Sequence, residues 1–348
     1  MLLLSLWLFQ KKEQDVKHEI FPVVSVLVAV RNEEKNIKRC IDALLAVNYP
    51  SEKLEIIIGD DDSNDDSLRL IQAYATKYKH ISVIQVIENI PGLKGKANVL
   101  AQLAKRAKGE FLFFTDADIQ VPKNWMIEML KGFSENVGIV SGVTGIKGDG
   151  YFSLFQCMDW IFALGMTKVV NNLGYSITAL GNNMAVKRLA YDAVGGYENI
   201  PFSITEDFEL LKQVQKKGFV GNQLFNKDVL AWSLPEHDFK SLLIQRKRWM
   251  KGALQLPKVM VAILFAQALF FPVLIVVMAI NFNLGLLLLI IKIFIQAVFI
   301  NYSFSKLERN EKPISLIIYE IYATLLSLSL MVYYILPIPI RWKDREYV

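Results

Sequence analysis

Apolar residues fall into two regimes along the chain. Up to about Lys258 they come in short β-branched runs alternating with runs at helical spacing; beyond it they are nearly continuous. Residues 23–30 are an apolar, β-branched run, the pattern of a strand buried on both faces. Ile37, Cys40, Ile41, Leu44 and Leu45 then share one side of a 3.6-residue period and predict a helix. A strand over 55–59, a helix from Ser67 through Leu68 and Ile71, a strand over 81–87, a helix over 95–108 and a strand over 111–115 follow. Strands alternating with helices imply a parallel sheet with crossover connections. Residues 20 to about 145 therefore read as a Rossmann-like, nucleotide-binding α/β half.

The later regime predicts membrane. Residues 259–280 carry no formal charge and are long enough to span a bilayer. Residues 284–302 form a second candidate that contains Lys292, and 314–336 a third that contains Glu320. The alternative, buried helices of a large soluble core, is disfavoured because soluble domains rarely hold three such runs in succession. Lys292 and Glu320 are costly in lipid, so they should face protein or water, or lie at helix ends. Residues 2–9 are apolar but too short to span; with no basic region before them they predict an interfacial anchor or a truncated span, not a cleaved signal. The expected layout is an N-terminal apolar segment over 1–19, a catalytic domain over 20–256, about three membrane helices over 257–340 and a polar tail over 341–348.

Composition sharpens this picture. The chain is 53% hydrophobic, with the excess concentrated after Lys258. Its net charge of +5 is modest and gives no reason to expect nucleic acid. Arg246, Lys247, Arg248, Lys251 and Lys258 precede the first long span, which predicts a cytoplasmic catalytic domain on a multi-pass protein of the cell inner membrane. Three full spans would place Arg341, Lys343 and Arg345 outside, against the same rule, which leaves room for a re-entrant or interfacial segment. Cys40 and Cys157 offer no disulfide framework, and His18, His80 and His237 are too scattered for a zinc site.

Three polar clusters follow predicted strands directly: Arg31-Asn32-Glu33-Glu34, Asp60-Asp61-Asp62-Ser63 and Asp116-Ala117-Asp118. In an open parallel sheet the carboxyl ends of strands share one edge, where ligands bind, so the clusters should converge there. So many carboxylates repel unless a cation or ligand offsets them. Helix capping would explain Asp65 or Ser67, but not a paired Asp-x-Asp after Phe-Leu-Phe-Phe. Asp116 and Asp118 suit a hard divalent cation, Mg²⁺ or Mn²⁺, shared with a substrate diphosphate. The Gly92-Leu93-Lys94-Gly95-Lys96 stretch lacks phosphate-loop spacing and has Ala97 where Ser or Thr should follow the lysine. Lys94 or Lys96 could still meet a phosphate as a point charge, or sit solvated at the surface. Asp207 precedes a helical pattern in Phe208, Leu210 and Leu211 and reads by itself as a helix cap before it reads as a base. Residues 239–252 predict a basic helix, for a membrane interface or for packing on the catalytic domain. Residues 151–170, with Ser153, Gln156 and Asp159 recurring every third residue, predict a packed helix in preference to a lipid site. The Gly181-Asn182-Asn183 region through Gly195-Gly196-Tyr197 reads as loop and turn.

With these residues assembled, the chain resembles the family 2 glycosyltransferases of GT-A fold. The match runs from about Pro22 to Gly252 and rests on five ordered motifs: Val28-Ala29-Val30-Arg31-Asn32-Glu33-Glu34, Gly59-Asp60-Asp61-Asp62-Ser63, Asp116-Ala117-Asp118, Thr205-Glu206-Asp207 and Gln245-Arg246-Lys247-Arg248-Trp249. The resemblance implies that Asp61 contacts the donor base, commonly uracil. Asp116 and Asp118 would serve ribose, diphosphate and metal, and Arg31, Glu33 and Lys96 fall on the donor side. It implies that Asp207 is the catalytic base and that Glu206, Gln245, Arg248 and Trp249 line the diphosphate and acceptor site. Asp62 stands where many relatives have glycine. The implied reaction is inverting: a sugar passes from a nucleotide-diphosphate donor to a lipid or lipid-linked acceptor, as in ceramide glucosyltransferases. A processive synthase of the cellulose or hyaluronan type is the alternative. A nucleotidyltransferase would not need Thr205-Glu206-Asp207 or the terminal spans, and a non-catalytic scaffold would not need the convergent carboxylates. The expected partners are a nucleotide sugar, a lipid or saccharide acceptor and the bilayer.

Overall fold

The computed structural model describes residues 21–256, 258–336, 340–342 and 345–347; the expected N-terminal segment over 1–19 lies outside them. Two compact units emerge. Among the described residues, one comprises 21–146 together with Thr167–Leu234, the other Lys147–Met166 together with those from Pro235 onward.

In the first unit the chain runs β1 (Val24–Val30), α1 (Ile37–Leu45), β2 (Leu54–Asp60), α2 (Ser67–Lys77), β3 (Ile81–Gln85), α3 (Gly95–Arg106), β4 (Phe111–Asp116), α4 (Trp125–Lys131), β5 (Val137–Ser141) and β6 (Val143–Ile146). Helix α5 (Gly150–Asn172) begins in the second unit and ends in the first. The sheet unit is completed by β7 (Asn183–Lys187), α6 (Arg188–Ala193), α7 (Glu206–Lys216), β8 (Val220–Gln223) and β9 (Leu230–Ser233). Seven strands form one sheet in the order β3-β2-β1-β4-β7-β5-β8. β1, β2, β3 and β4 are parallel, and β7 is antiparallel to both β4 and β5. The fold is thus the mostly parallel α/β sheet that the alternating pattern predicts.

Strand side chains alternate between two faces, and each face carries its own core. Val24, Val26, Val28 and Phe113 pack with Ile37, Ile41 and Leu44 of α1. Leu27, Leu112 and Phe114 pack on the opposite face with Val99, Leu100 and Leu103 of α3. Full burial of each such side chain stabilises the fold by about 1.5–3 kcal/mol, which is why β1 has almost no polar positions. Helix α3 lies close on β2: a Cβ at Gly59 would sit 2.5 Å from Val99 Cγ1. Residues 183–187, expected in a loop, instead form β7 in the middle of the sheet, with Met184, Ala185 and Val186 fully buried. The flanking Asn and Gly residues obscured a short strand too small to show periodicity.

The second unit contains Gly150–Met166 of α5, then α8 (Phe239–Ala253), α9 (Lys258–Ile280), α10 (Phe282–Lys306), α11 (Pro313–Ile335) and a hairpin of β10 (Ile340–Trp342) with β11 (Arg345–Tyr347). Asp238 and Ser241 form a reciprocal capping box at the start of α8. Among the described residues α10 and α11 are long and apolar enough to cross a membrane. At about 1.5 Å per residue both exceed a hydrocarbon core of about 30 Å. Helix α9 reaches that standard only as a bent pair, Met260–Gln267 and Leu269–Ile280, at 42°. Pro272 lies inside it, and a proline ring clashes with the carbonyl four residues back, where the bend occurs. Lys292 of α10 and Glu320 of α11 are paired with each other, and Gln296 Nε2 donates to Glu320 Oε2 at 2.7 Å.

Candidate active site

Parallel register places Val30 beside Asp60 and Ala29 beside Asp116, so the three polar clusters do share the carboxyl edge of the sheet. The first two loops interlock. The Asn32 amide donates to Ser63 Oγ at 3.0 Å, the Glu33 amide to Ser67 Oγ at 2.7 Å and the Glu34 amide to Asp65 Oδ2 at 3.0 Å. The Arg31 guanidinium donates to the carbonyls of Asp61 and Asp62. Asn32 and Asp62 adopt φ of 52° and 55°, left-handed values that Asn and Asp tolerate better than most residues. Asp62 thus fills the glycine position of the resembling family in a glycine-like conformation. Glu33 Oε2 accepts from Asn36, and both Glu33 and Asp61 are buried. Asp60 was named by sequence only as a member of its cluster, with no role of its own. It is fully buried, Oδ2 accepts from the Ser63 amide at 3.1 Å, and Oδ1 has no hydrogen-bond partner among the described residues.

Beside this edge Lys96, in the first turn of α3, reaches two carboxylates. Its Nζ lies 2.6 Å from Asp116 Oδ1 and 3.0 Å from Glu206 Oε1. Burial alone would lower the proton affinity of the ammonium, but the Asp116 and Glu206 charges outweigh it and the pKa is raised. Asp207 follows in the first turn of α7. Its Oδ2 accepts the Gly181 amide at 2.7 Å and its Oδ1 the Phe208 amide at 2.8 Å. Burial and then the Glu206 charge push its pKa up to about 6, while Lys96 and the two amides pull against them. A cap serves its own helix; Asp207 also reaches a distant loop, which the capping reading does not explain. Asp118 Oδ2 accepts from Ser233 Oγ at 3.1 Å, and Arg39 donates to the Asp118 carbonyl.

The donor set of Asp116 and Asp118 is hard oxygen, which suits Mg²⁺ or Mn²⁺. Among the described residues no group of three or more His, Cys, Asp or Glu could hold a metal. A metal held by these two carboxylates would keep room for phosphate oxygens and water.

In the second unit α8 carries Gln245, Arg248 and Trp249. Gln245 Nε2 donates to Glu236 Oε1 at 2.6 Å. The buried Arg246 pairs with Asp159 at 2.6 Å, with its guanidinium carbon 4.3 Å from the Trp249 ring centre and 6.0 Å from that of Trp160. The two indoles meet edge to face at 4.8 Å. Lys247 Nζ donates to the carbonyls of Tyr333 and Leu336 at 3.2 and 2.8 Å, satisfying the end of α11. Two residues of the basic helix, expected either at a membrane interface or in packing, are thus buried in polar contacts. Asp159, which sequence placed on a packing helix, holds the motif helix through Arg246; no local signal linked residues so far apart.

A β-monoglucosyldiacylglycerol synthase of Trichormus variabilis is 27% identical over 237 residues, covering 67% of this chain and 49% of the relative. A poly-β-1,6-N-acetyl-D-glucosamine synthase of Staphylococcus aureus is 26% identical, covering 69% and 57%. The chain spans about half the length of such relatives. Among solved structures, the mannosyltransferase PcManGT from Pyrobaculum calidifontis, in complex with GDP-Man and Mn²⁺, matches with a TM-score of 0.59 at 19% identity, covering 95% of this chain and 93% of that one. It supports the GT-A fold. The model of glycosyl transferase family 21 matches residues 1–348, and the chain therefore belongs to that GT2-type family.

Proposed function

We propose that the protein is an inverting glycosyltransferase that moves a sugar from a nucleotide-diphosphate donor to a lipid hydroxyl at the cytoplasmic face of the cell inner membrane. The observation that carries this reading is the cluster in which Lys96 bridges Asp116 and Glu206 beside a half-buried Asp207 whose pKa is raised to about 6. A carboxylate with a pKa near 6 is ionised at neutral pH yet basic enough to accept a proton in a transition state.

In this mechanism Asp207 takes the acceptor hydroxyl proton as the acceptor oxygen attacks the anomeric carbon. The bond to the diphosphate oxygen breaks on the opposite side, and the nucleoside diphosphate leaves. One base suffices for this single displacement, whereas retaining hydrolysis needs two carboxyls flanking the bond. Gly181 and Phe208 amides fix the Asp207 carboxylate, so orientation costs little at the moment of reaction. Asp61 and the loop pinned by Arg31 and Glu33 hold the base end of the donor. Lys96 offers a cation to the diphosphate, and Gln245, Arg248 and Trp249 serve the diphosphate and acceptor. Asp116 and Asp118 would hold Mg²⁺ or Mn²⁺, which when bound offsets negative charge on the leaving group.

A lipid acceptor is favoured over a growing polysaccharide. The charged residues within α10 and α11, Lys292 and Glu320, satisfy each other instead of lining a polar path. The relative named for diacylglycerol supports the same acceptor class. The test supplies purified protein with native membranes and a panel of labelled nucleotide sugars, and identifies products by mass spectrometry. A lipid bearing one sugar or very few is expected; a ladder of long, lipid-free saccharides would support the processive alternative.

A further inference from the structure

The helices of the second unit line a half-open cavity of about 700 Å³. Its walls are mainly hydrocarbon, from Phe162 on α5, Phe270 on α9, Leu288 and Ile295 on α10, and Leu326 and Leu330 on α11. The charged side chains that reach it are paired: Arg246 with Asp159, and Lys292 with Glu320.

Close-packed interiors leave few voids larger than a water. An apolar cavity of about 150 Å³ already stays dry and admits a benzene-sized guest. One of about 700 Å³ falls in the range of ligand sites. Left empty, its lining would forfeit dispersion contacts on one side. Water is a poor filling, because walls that are mainly hydrocarbon offer it few of the polar partners it needs. Leu288, Ile291 and Ile295 recur along one face of α10 and line the cavity, yet they remain 38%, 43% and 39% exposed. Protein alone does not cover that face. Between helices long enough to cross a bilayer, the available filling is a hydrocarbon chain. The charge balance argues the same way, since a charged headgroup would have to break one of the two ion pairs. Arg246 brings the cavity against α8, the helix that also carries Gln245, Arg248 and Trp249.

We propose that this cavity holds one hydrocarbon tail of the acceptor lipid, with the head end toward α8 and the tail between α9, α10 and α11. The identity of the lipid as acceptor rests on the function proposed above; the binding of a tail does not.

The experiment uses the full chain in lipid nanodiscs and a diacylglycerol carrying a diazirine midway along one acyl chain. Photolysis should label Leu288, Ile295 and Leu326 on the cavity walls. Ala323→Trp, which fills the cavity from α11, should cut that labelling tenfold or more. It should also lower the ratio of transfer to long-tail over short-tail diacylglycerol by tenfold or more. Leu287→Trp, on an exposed position outside the walls, should leave label and ratio unchanged. Ser327→Phe gives the same readout by a second filling substitution should the tryptophan variant fail to fold. Labelling confined to outward residues such as Leu287, Ile290 and Phe294, or a tail-length ratio unmoved by either filling variant, would overturn the proposal. Equal labelling by a phosphatidylcholine with the same diazirine, with the ratio unmoved, would mark a bilayer lipid and overturn the acceptor assignment. If no lipid accepts sugar while wall labelling persists and Ala323→Trp blocks it, the lipid-acceptor reading fails and the tail cavity stands.

Discussion

The Gly181 amide donates to Asp207 Oδ2 at 2.7 Å, tying the first turn of α7 to a loop 26 residues earlier in the chain. The same carboxylate takes the Phe208 amide through Oδ1. Both oxygens are therefore fixed while the group stays ionisable, the combination required of a general base. Asp207→Asn keeps the side chain's shape but cannot accept a proton. Transfer should fall by about 10²-fold or more, the scale of general-base catalysis. Nucleotide-sugar affinity, read by isothermal titration, should hold within a few-fold. A variant that binds donor and transfers at a near-normal rate would refute the role.

The pKa of about 6 at Asp207 sets a pH dependence. The base works only when deprotonated, so kcat/KM should be level above about pH 7. It should fall about tenfold per unit once pH drops below about 6, since kcat/KM reports groups of the free enzyme. A profile flat down to pH 4.5 would remove Asp207 from the proton transfer.

Lys96 opposes the rise in the Asp207 pKa, because its charge favours the carboxylate. Lys96→Met should therefore move the acid limb of kcat/KM to higher pH and weaken donor binding. Lys96→Arg should restore much of the limb's position, because the charge is retained. An unmoved limb in Lys96→Met would show that the ammonium does not tune the base.

Turnover should require Mg²⁺ or Mn²⁺ and be abolished by excess chelator. Asp118→Ala should lower transfer by about 10²-fold or more, in line with the loss of one strong electrostatic contact to developing charge. Full activity of the unaltered protein in chelator would rule out the metal role of Asp116 and Asp118.

The Lys292–Glu320 pair predicts a stability pattern with no catalytic component. Lys292→Met alone leaves a buried carboxylate uncompensated and should cost about 3–5 kcal/mol. The double change Lys292→Met with Glu320→Leu should recover most of it, as replacing both partners by apolar groups often does. Thermal unfolding in detergent measures both; equal loss in the single and double variants would contradict the pairing.

Periodicity and motif order by themselves determined much of this protein. Val24–Val30, Leu54–Asp60 and Phe111–Asp116 are strands buried on both faces, so their apolar runs had only one stable use. The apolar lengths of Phe282–Lys306 and Pro313–Ile335 answer to bilayer thickness, again a local property. Because parallel strands end at one edge, even the convergence of Arg31, Asp61 and Asp116 was legible in the sequence. Tertiary structure decided the rest. Asn183–Lys187 is a strand only because β4 and β5 flank it. Asp159 holds Arg246, Lys96 joins Asp116 to Glu206, and Lys292 meets Glu320 across 28 residues. None of these pairings has a sequence period, because each depends on where separate elements pack. A helix or strand is fixed by neighbours three or two residues away, whereas an ion pair or a cavity is fixed by neighbours that only folding brings near.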